Sequence, residues 1–297
     1  GQPTGAIHGF SSMLINLVKE HKPEEIAVAF DLPTPTFRHI KIPTYKAGRE
    51  KAPDELYQQL GLVKEILTSL GILVVEKEGY EADDILATLA TGARDRSKRA
   101  IVVTGDRDSY QLVEDPYIQV LYNIRGVSDY ALYDENGIQE RTGVSPKDYV
   151  LYAALRGDKS DNLPGVPGVG EKTAAKLVNS YLTLDRIFDS TEEQKPKLRE
   201  NLENYEALVR SNVEVMELVR DVPIGIGPED LVRGAVDQNE IKQVFEFLEL
   251  HTIYGRLAEV FDGDFDANTS STILATPVIS EISSPSEVIE TLAHLRE

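Results

Sequence analysis

The sequence contains no cysteine and no long apolar run, and each absence limits what the protein can be. Without cysteine, the 297-residue chain cannot form disulfide bonds or thiolate metal sites, which fits a reducing compartment. No stretch approaches the roughly 18 apolar residues of a membrane span, and the amino end is too polar for a signal peptide. We therefore predict a cytoplasmic globular protein with no membrane partner.

Positive charge is also scarce, because 31 Lys and Arg residues face 50 Asp and Glu residues and give a formal net charge of −19. Taken alone, this acidic excess argues against a nucleic-acid partner, since phosphate binding depends on Lys and Arg. The charge is unevenly distributed, however. Residues 37–51 hold five Lys or Arg and a single Glu, so the composition permits a basic groove on an acidic body.

Acidic residues follow three apolar, strand-like segments at the point where each segment ends. Segments 26–30, 72–75 and 100–104 are each followed by one to three acids, and the polar stretch 156–162 carries two more. The acids in this pattern are Asp31, Glu81, Asp83, Asp84, Asp106, Asp108, Asp158 and Asp161. Ligands of an open α/β sheet bind beyond the carboxyl ends of its strands, so we expect these acids to converge on one rim.

Carboxylates gathered on one rim repel each other unless some are protonated or cations lie among them. Oxygen ligands without cysteine suit Mg²⁺ or Mn²⁺ rather than Zn²⁺. The alternative is simple helix capping, but capping requires one acid per helix, and two or three acids occur at the second and third segments. Two ions held about 3.5–4 Å apart would activate a water and stabilise the leaving oxygen of a phosphodiester displacement. No histidine base is then needed, in agreement with the scattered positions of the five histidines.

Strand and helix signals alternate as far as about residue 145. Apolar periodicity predicts helices near 4–19, 54–70, 82–94 and 108–113 and strands at 26–30, 72–75, 100–104 and 118–122. The alternation predicts an α/β nuclease core over residues 1–145, with a mostly parallel central sheet flanked by helices.

Strand signals fade after residue 145. Residues 146–262 are predicted to form a helical subdomain, with helices near 146–155, 171–180, 195–219 and 238–250. The composition of residues 263–271 is typical of a linker. Residues 263–297 are therefore assigned to a linker and the start of a following domain, with a strand at 272–275 and a helix near 286–295.

A glycine-rich segment at residues 165–176 is the second strong pattern. It differs from a nucleotide-binding P-loop, because Glu171 separates Gly170 from Lys172 and no apolar strand precedes it. We interpret it as a hairpin whose backbone N–H groups approach a DNA phosphate, followed by a helix that presents its positive end. The residues expected to contact DNA here are Gly165, Gly168, Gly170, Lys172, Thr173 and Lys176.

Residues 32–53 form a long, proline-containing connection that carries the basic residues. A connection of this length is typical of functional loops, although an ordinary solvated loop is the alternative. Because the segment directly follows Asp31, we expect it to guide a single strand over the acids. Arg38 is expected to contact this strand, and Tyr45 is expected to stack on a base.

Several ordered motifs resemble those of the bacterial 5′ nucleases of the flap endonuclease superfamily. The matching segments lie at 29–31, 36–38, 45–49, 79–84, 104–112 and 157–174. The resemblance covers about residues 1–260 and implies a PIN-like 5′ nuclease fold with a helix-hairpin-helix subdomain. It further implies a metal-dependent enzyme that removes 5′ flaps and RNA primers from branched or nicked duplex DNA in replication and repair.

The resemblance also implies a role for each matching residue. Residues 32–53 would form an arch in which Lys46 and Arg49 help to hold the scissile phosphate. A first metal site would use Asp31, Glu81, Asp83, Asp84 and Asp106, and a second would use Asp108, Asp158 and Asp161, with Asp106 near enough to share. The helix-hairpin-helix element would grip the duplex and hold a K⁺ ion through backbone carbonyls. In this family, polymerase domains follow the nuclease in the full-length protein.

One feature departs from the family pattern. The family's first strand, which carries a metal-binding Asp in an Asp-Gly sequence, has no counterpart ahead of the helix that begins near Thr4. If that ligand is missing, turnover should fail while duplex binding persists, so a catalytically impaired module that binds branched DNA is the alternative function. A small-molecule phosphohydrolase on a similar acid-rimmed sheet is a third, and it would give Lys46 and Arg49 no role.

Overall fold

The computed structural model describes residues 4–49, 53–262 and 278–282. The helices are Gly5–His21 (α1), Phe37–Lys41 (α2), Asp54–Ser69 (α3), Ala82–Asp95 (α4), Glu135–Thr142 (α5), Tyr149–Arg156 (α6), Glu171–Tyr181 (α7), Leu184–Asp189 (α8), Pro196–Met216 (α9), Gln238–Phe247 (α10) and His251–Asp262 (α11). The strands are Ile26–Phe30 (β1), Leu73–Val75 (β2), Ala100–Thr104 (β3), Ile118–Arg125 (β4), Asp129–Tyr133 (β5), Gly157–Asp158 (β6), Leu163–Pro164 (β7) and Val278–Ile282 (β8). Across these described ranges, no helix combines the length and apolarity needed to cross a bilayer.

The central sheet has the strand order β2-β1-β8-β3-β4-β5. Neighbouring strands are parallel except β4 and β5, which form an antiparallel pair at one edge. Every residue of β1 and β3 is buried, as expected for strands that are covered on both faces. The predicted α/β class, with a mostly parallel sheet flanked by helices, is confirmed.

The strand between β1 and β3 comes from the carboxyl end of the described chain. β8 pairs in parallel with both neighbours, with Ser280 opposite Val28 and Ile279 opposite Val102. Residues 278–282, which the sequence analysis placed in the start of a following domain, thus pair within the central sheet. Pairing with β8 satisfies two rows of backbone N–H and C=O groups that β1 and β3 would otherwise leave open. The strand predicted at 272–275 and the helix predicted near 286–295 lie outside the described residues.

Helices cover both faces of the sheet. On one face, α4 buries Ile85, Leu86 and Leu89 in a cluster that continues into α6, α7 and α9. On the other face, α1 and α3 bury residues at helical spacing, including Ile7, Leu14, Val63 and Leu67. The two clusters fix the carboxyl ends of the strands at one rim.

Two helices of the predicted helical subdomain, α10 and α11, pack against α1 and α3. Ile241 and Phe245 of α10, with Leu257 and Phe261 of α11, are buried in the cluster formed by α1 and α3. These two helices therefore pack on the α/β core rather than with α6–α9. The apolar stripes of α10 and α11 cover apolar surface that α1 and α3 leave exposed, and sequence periodicity cannot show which neighbour a stripe will meet.

Candidate functional site

Asp31 and Glu81 lie side by side at the carboxyl ends of β1 and β2. Asp31 directly follows β1, and its Oδ1 accepts a hydrogen bond from the Ala82 backbone N–H at 2.7 Å. Glu81 is the residue before α4, and it is buried. Burial raises the pKa of Asp31 to about 7, against the opposing effect of Lys46.

Asp106 and Asp108 follow β3 on a short 3₁₀ helix, Arg107–Leu112. The Asp108 backbone N–H donates to Asp106 Oδ1 at 2.8 Å, which fixes the Asp106 side chain. Burial and the neighbouring Asp161 carboxylate raise the pKa of Asp106 to about 6. Burial, together with the carboxylates of Asp106, Asp161 and Asp158, raises the pKa of Asp108 well above its usual range. These acids therefore share one electrostatic environment.

Asp158 and Asp161 are presented by a hairpin formed by β6 and β7. Asp158 pairs with Leu163 across the hairpin, and its Oδ1 accepts a hydrogen bond from the Ser160 N–H at 2.7 Å. Gly165 packs so closely that a Cβ there would lie 2.2 Å from the Arg156 carbonyl oxygen. The structure thus gives Gly165 a packing role, and the DNA contact expected of it stays a prediction.

The basic segment, residues 32–49 and 53 of the predicted arch, lies against the rim. Lys46 Nζ is 3.1 Å from Glu81 Oε1, and Arg49 Nη2 is 2.6 Å from Asp161 Oδ1. Burial alone would raise the pKa of Glu81, but Lys46 and Arg38 hold it below its ordinary value. The two cations predicted to hold a phosphate therefore neutralise two of the predicted metal ligands in this structure.

Backbone groups also tie the basic segment to the β6–β7 hairpin. Lys46 has a left-handed backbone with φ of +53°, and its N–H donates to the Asp161 carbonyl oxygen at 2.9 Å. Arg49 Nε donates to the Ser160 carbonyl oxygen at 3.1 Å. In the opposite direction, Asn162 Nδ2 donates to the Thr44 carbonyl oxygen at 2.8 Å.

Tyr45, expected from the sequence to stack on a base, takes part in the acid rim. It is buried, and its hydroxyl lies 3.0 Å from both Glu81 Oε2 and Asp161 Oδ2. Burial raises the pKa of this hydroxyl well above its usual value, so it remains a proton donor. Tyr45 bridges an acid of the α/β core and an acid of the hairpin, a role that its position in a basic segment did not indicate.

Arg38, expected to contact DNA, and Asp84, expected to bind metal, form a buried ion pair with each other. Arg38 Nη1 and Nη2 donate to the two Asp84 oxygens at 2.6 and 2.8 Å, and Arg38 Nε donates to the Val215 carbonyl oxygen at 2.6 Å. Asp84 also accepts hydrogen bonds from the N–H groups of Glu81 and Val219. Both side chains are excluded from solvent, so the pair fastens the end of α9 to the core.

Of the eight acids, six lie along the rim and two turn inward. Asp84 pairs with Arg38, and Asp83 is buried, with its Oδ1 3.3 Å from the Ser109 hydroxyl. In the part of the chain that the structure describes, no three His, Asp or Glu side chains are placed so that they could share a metal ion. Two of the rim acids, Glu81 and Asp161, pair instead with Lys46 and Arg49.

The predicted helix-hairpin-helix arrangement is present as α6, the β6–β7 hairpin with residues 165–170, and α7. α7 begins at Glu171, immediately after Gly170. The Lys172 and Lys176 side chains are exposed on its first two turns, and Thr173 is half-buried. This places two cations beside the positive end of a helix, which is suited to a phosphate.

The raised pKa of Asp31 predicts a pH-dependent contribution to stability that one substitution should remove. The folded protein keeps the Asp31 proton up to about pH 7, so between pH 4 and 7 it binds more protons than the unfolded chain. This difference in proton binding lowers the free energy of unfolding as the pH rises. Asp31→Asn keeps an oxygen for the Ala82 N–H and carries no charge. In EDTA, its free energy of unfolding should therefore rise relative to the natural chain by on the order of 1–3 kcal/mol between pH 4.5 and 8. Urea titrations at several pH values measure this, and a pH-independent difference would contradict it.

Two family models match consecutive parts of the chain. One is described as the 5'-3' exonuclease N-terminal resolvase-like domain and matches residues 1–143, and the other as the 5'-3' exonuclease C-terminal SAM fold and matches residues 144–239. Together they cover most of the sequence, and the chain belongs to the 5'-3' exonuclease family. The 5′ nuclease identity inferred from the motifs is confirmed.

Curated relatives and solved structures agree with this assignment. The chain is 44% identical to DNA polymerase I of Mycobacterium bovis over 257 residues, which is 86% of this chain and 28% of that protein. It is 35% identical to DNA polymerase I of Bacillus subtilis over 260 residues, or 87% and 29% of the two chains. The chain thus spans less than a third of these relatives.

Two nuclease structures share the fold. T5 5'-exonuclease with bound zinc superposes with a TM-score of 0.64 at 19% identity, covering 82% of this chain and 92% of that one. The catalytic core of Rad2 in complex with a DNA substrate gives a TM-score of 0.54 at 17% identity, covering 86% and 82%. At these identities the comparison establishes a common architecture.

Proposed function

We propose that this chain is a metal-dependent, structure-specific nuclease that hydrolyses phosphodiester bonds at 5′ flaps and primers of branched or nicked duplex DNA. The observation that carries the proposal is the rim itself, where carboxylates from four parts of the chain meet two cations of the basic segment. Membership of the 5'-3' exonuclease family supports the reaction type. The DNA-bound structure of Rad2 supports the substrate class.

The rim suits a hard divalent cation. Asp106 and Asp108 are half-buried beside other carboxylates, and this raises their pKa values, so a nearby positive charge would stabilise their ionised forms. The acids that would hold Mg²⁺ or Mn²⁺ are Asp31, Glu81, Asp106, Asp108, Asp158 and Asp161, all of them oxygen donors. When bound, such ions supply an activated water and stabilise the departing oxygen of the scissile bond.

Lys46 and Arg49 provide the charge that holds the scissile phosphate. Both now pair with carboxylates, and a phosphate would replace Glu81 as partner of the ammonium and Asp161 as partner of the guanidinium. A guanidinium can bind two phosphate oxygens at once, which orients the group for in-line attack. The exchange also frees two acids for metal binding.

The helix-hairpin-helix element would hold the duplex by its backbone. Lys172, Thr173 and Lys176 lie on α7, and the N–H groups of Gly168 and Gly170 precede it. Contacts of this kind ignore base identity, which agrees with a nuclease that recognises junction shape. A K⁺ ion held by the carbonyls of this turn is part of the same proposal. Because the curated relatives are DNA polymerase I, we further propose that polymerase domains accompany this one in a cytoplasmic repair and replication enzyme.

A cleavage assay tests the function. A fluorescently labelled 5′ flap duplex should be cut near its junction in Mg²⁺, remain intact in EDTA, and be cut faster than blunt duplex of the same sequence. Binding to the same flap in EDTA is measured in parallel by fluorescence anisotropy. Retained binding with no product in Mg²⁺ or Mn²⁺ would instead support the branched-DNA-binding module, and loss of both would contradict either DNA-directed function.

A further inference from the structure

A second concave site adjoins the acid rim. It lies between the 3₁₀ helix Arg107–Leu112, the end of α5 and the end of α6, and has a cavity volume of about 160 Å³. The lining includes three arginines and three tyrosines, namely Arg107, Arg141, Arg156, Tyr110, Tyr149 and Tyr152. No role was assigned to this group from the sequence.

The three guanidinium groups are weakly neutralised by acids. Among the described residues, neither Arg107 nor Arg141 lies within 4.0 Å of a carboxylate oxygen. Arg156 approaches acids only loosely, at 3.7 Å from Asp158 Oδ2 and 4.0 Å from the exposed Glu171. In a chain with a formal net charge of −19, this is a local concentration of positive charge.

Two of these arginines are also held in place. Arg141 Nε donates to the Tyr110 hydroxyl at 3.1 Å. Arg156 Nε donates to the Gly157 carbonyl oxygen at 3.1 Å, and its guanidinium lies 5.1 Å from the centre of the Tyr152 ring. Because these side chains are already ordered, binding an anion would cost little additional conformational entropy.

A buried hydroxyl in the pocket provides an independent indication of a ligand. Tyr149 is 1% exposed, and its hydroxyl makes no hydrogen bond of normal geometry to any described residue, although Arg156 lies nearby. Burial raises its pKa well above the usual value, so it keeps its proton. A buried donor without an acceptor is unfavourable, and an oxyanion in the pocket would satisfy it.

We propose that this pocket binds a phosphate group through Arg107, Arg156 and the Tyr149 hydroxyl, and that DNA held at the acid rim supplies it. Forked guanidinium donors with a neutral hydroxyl match the tetrahedral oxygens of phosphate. The pocket and the rim are contiguous, because Arg107 lies between Asp106 and Asp108 in the chain and Arg156 faces Asp158. The inference that DNA supplies the phosphate rests on the proposed function, whereas the inference that the pocket binds a phosphate group does not.

Salt-dependent binding of a flap duplex tests the proposal. Anisotropy is measured in EDTA, so that the result is independent of cleavage, for Arg107→Ala, Arg156→Ala and the control Arg99→Ala. Arg99 is exposed at the amino end of β3, opposite the rim, and its loss changes the net charge equally. Each pocket variant should weaken binding about tenfold and reduce the slope of log K against log salt by about one, and Arg99→Ala should change neither.

Inorganic phosphate distinguishes the two sources of the ligand. Calorimetry measures phosphate binding to the natural chain and to Arg107→Ala. If phosphate binds only the natural chain, while Arg107→Ala keeps the natural flap affinity and salt slope, the pocket takes free phosphate and the DNA source is wrong. If neither flap binding nor phosphate binding changes in the pocket variants, the proposal is overturned. Thermal melting checks the fold, and Arg156→Lys, which keeps the charge, should restore the salt slope if Arg156→Ala proves unstable.

Discussion

Replacing Lys46 with alanine is expected to lower the rate of flap cleavage by about 10²–10³-fold, the usual effect of removing one positioned electrostatic group from a reacting centre. Lys46 is the cation closest to Glu81, and its loss would remove the charge that is expected to meet the scissile phosphate. Because negative charge builds up on that phosphate in the transition state, the single-turnover rate should fall much more than flap affinity. Rapid-quench measurement in saturating Mg²⁺ gives the rate directly.

Lys41→Ala is the matched control for this experiment. Lys41 belongs to the same basic segment, but its ammonium pairs with Glu214 on α9, and both side chains are largely exposed. The two variants therefore change the net charge equally and differ in whether the lost cation faces the rim. Equal cleavage rates for the two variants would count against the nuclease assignment of Lys46 and in favour of the small-molecule phosphohydrolase.

Arg38→Met is expected to lower the free energy of unfolding by about 3–5 kcal/mol, because it leaves the buried Asp84 carboxylate without its partner. Arg38 also supplies the donor for the Val215 carbonyl oxygen, so the attachment of α9 to the core is weakened at the same time. Urea denaturation followed by circular dichroism measures the loss. The double variant Arg38→Met with Asp84→Asn should recover part of it, since the unpaired charge is then removed.

The exposed pair Lys197–Glu200 provides the comparison. Its side chains are 78% and 59% exposed, and Lys197→Met should cost no more than about 1 kcal/mol. A loss of similar size for Arg38→Met would show that the Arg38–Asp84 pair has no structural role. It would also reopen the possibility that both residues serve DNA and metal.

The regular elements near the rim were predictable because their signals are local. The apolar runs that precede Asp31 and Asp106 predicted β1 and β3. The spacing of apolar residues predicted the bounds of α1, α3 and α4 within a few positions. Gly170 followed by a polar helix start gave α7. The convergence of acids on one rim followed from the parallel sheet, because parallel strands place their carboxyl ends together.

Partners that are distant in sequence were not predictable. Arg38 meets Asp84 and Val215, which lie 46 and 177 positions away, and nothing in a basic segment shows that one of its arginines will be buried. Tyr45 was interpreted as a stacking platform because aromatics among cations are typical of nucleic-acid sites, yet its hydroxyl lies between two carboxylates. Arg107 lies between Asp106 and Asp108 in the chain, and this position is the one sequence signal for the proposed phosphate pocket.

The crossed hydrogen bonds between the basic segment and the β6–β7 hairpin have a mechanical consequence. Lys46 and Arg49 of the basic segment donate to carbonyl groups of the hairpin, and Asn162 of the hairpin donates to a carbonyl group of the basic segment. Neither segment can therefore move outward alone without breaking these hydrogen bonds. Under the proposed function, an entering DNA strand would either move the two segments together or separate them. Distances measured between labels on the basic segment, the β6–β7 hairpin and α4 would distinguish joint movement of the two segments from their separation.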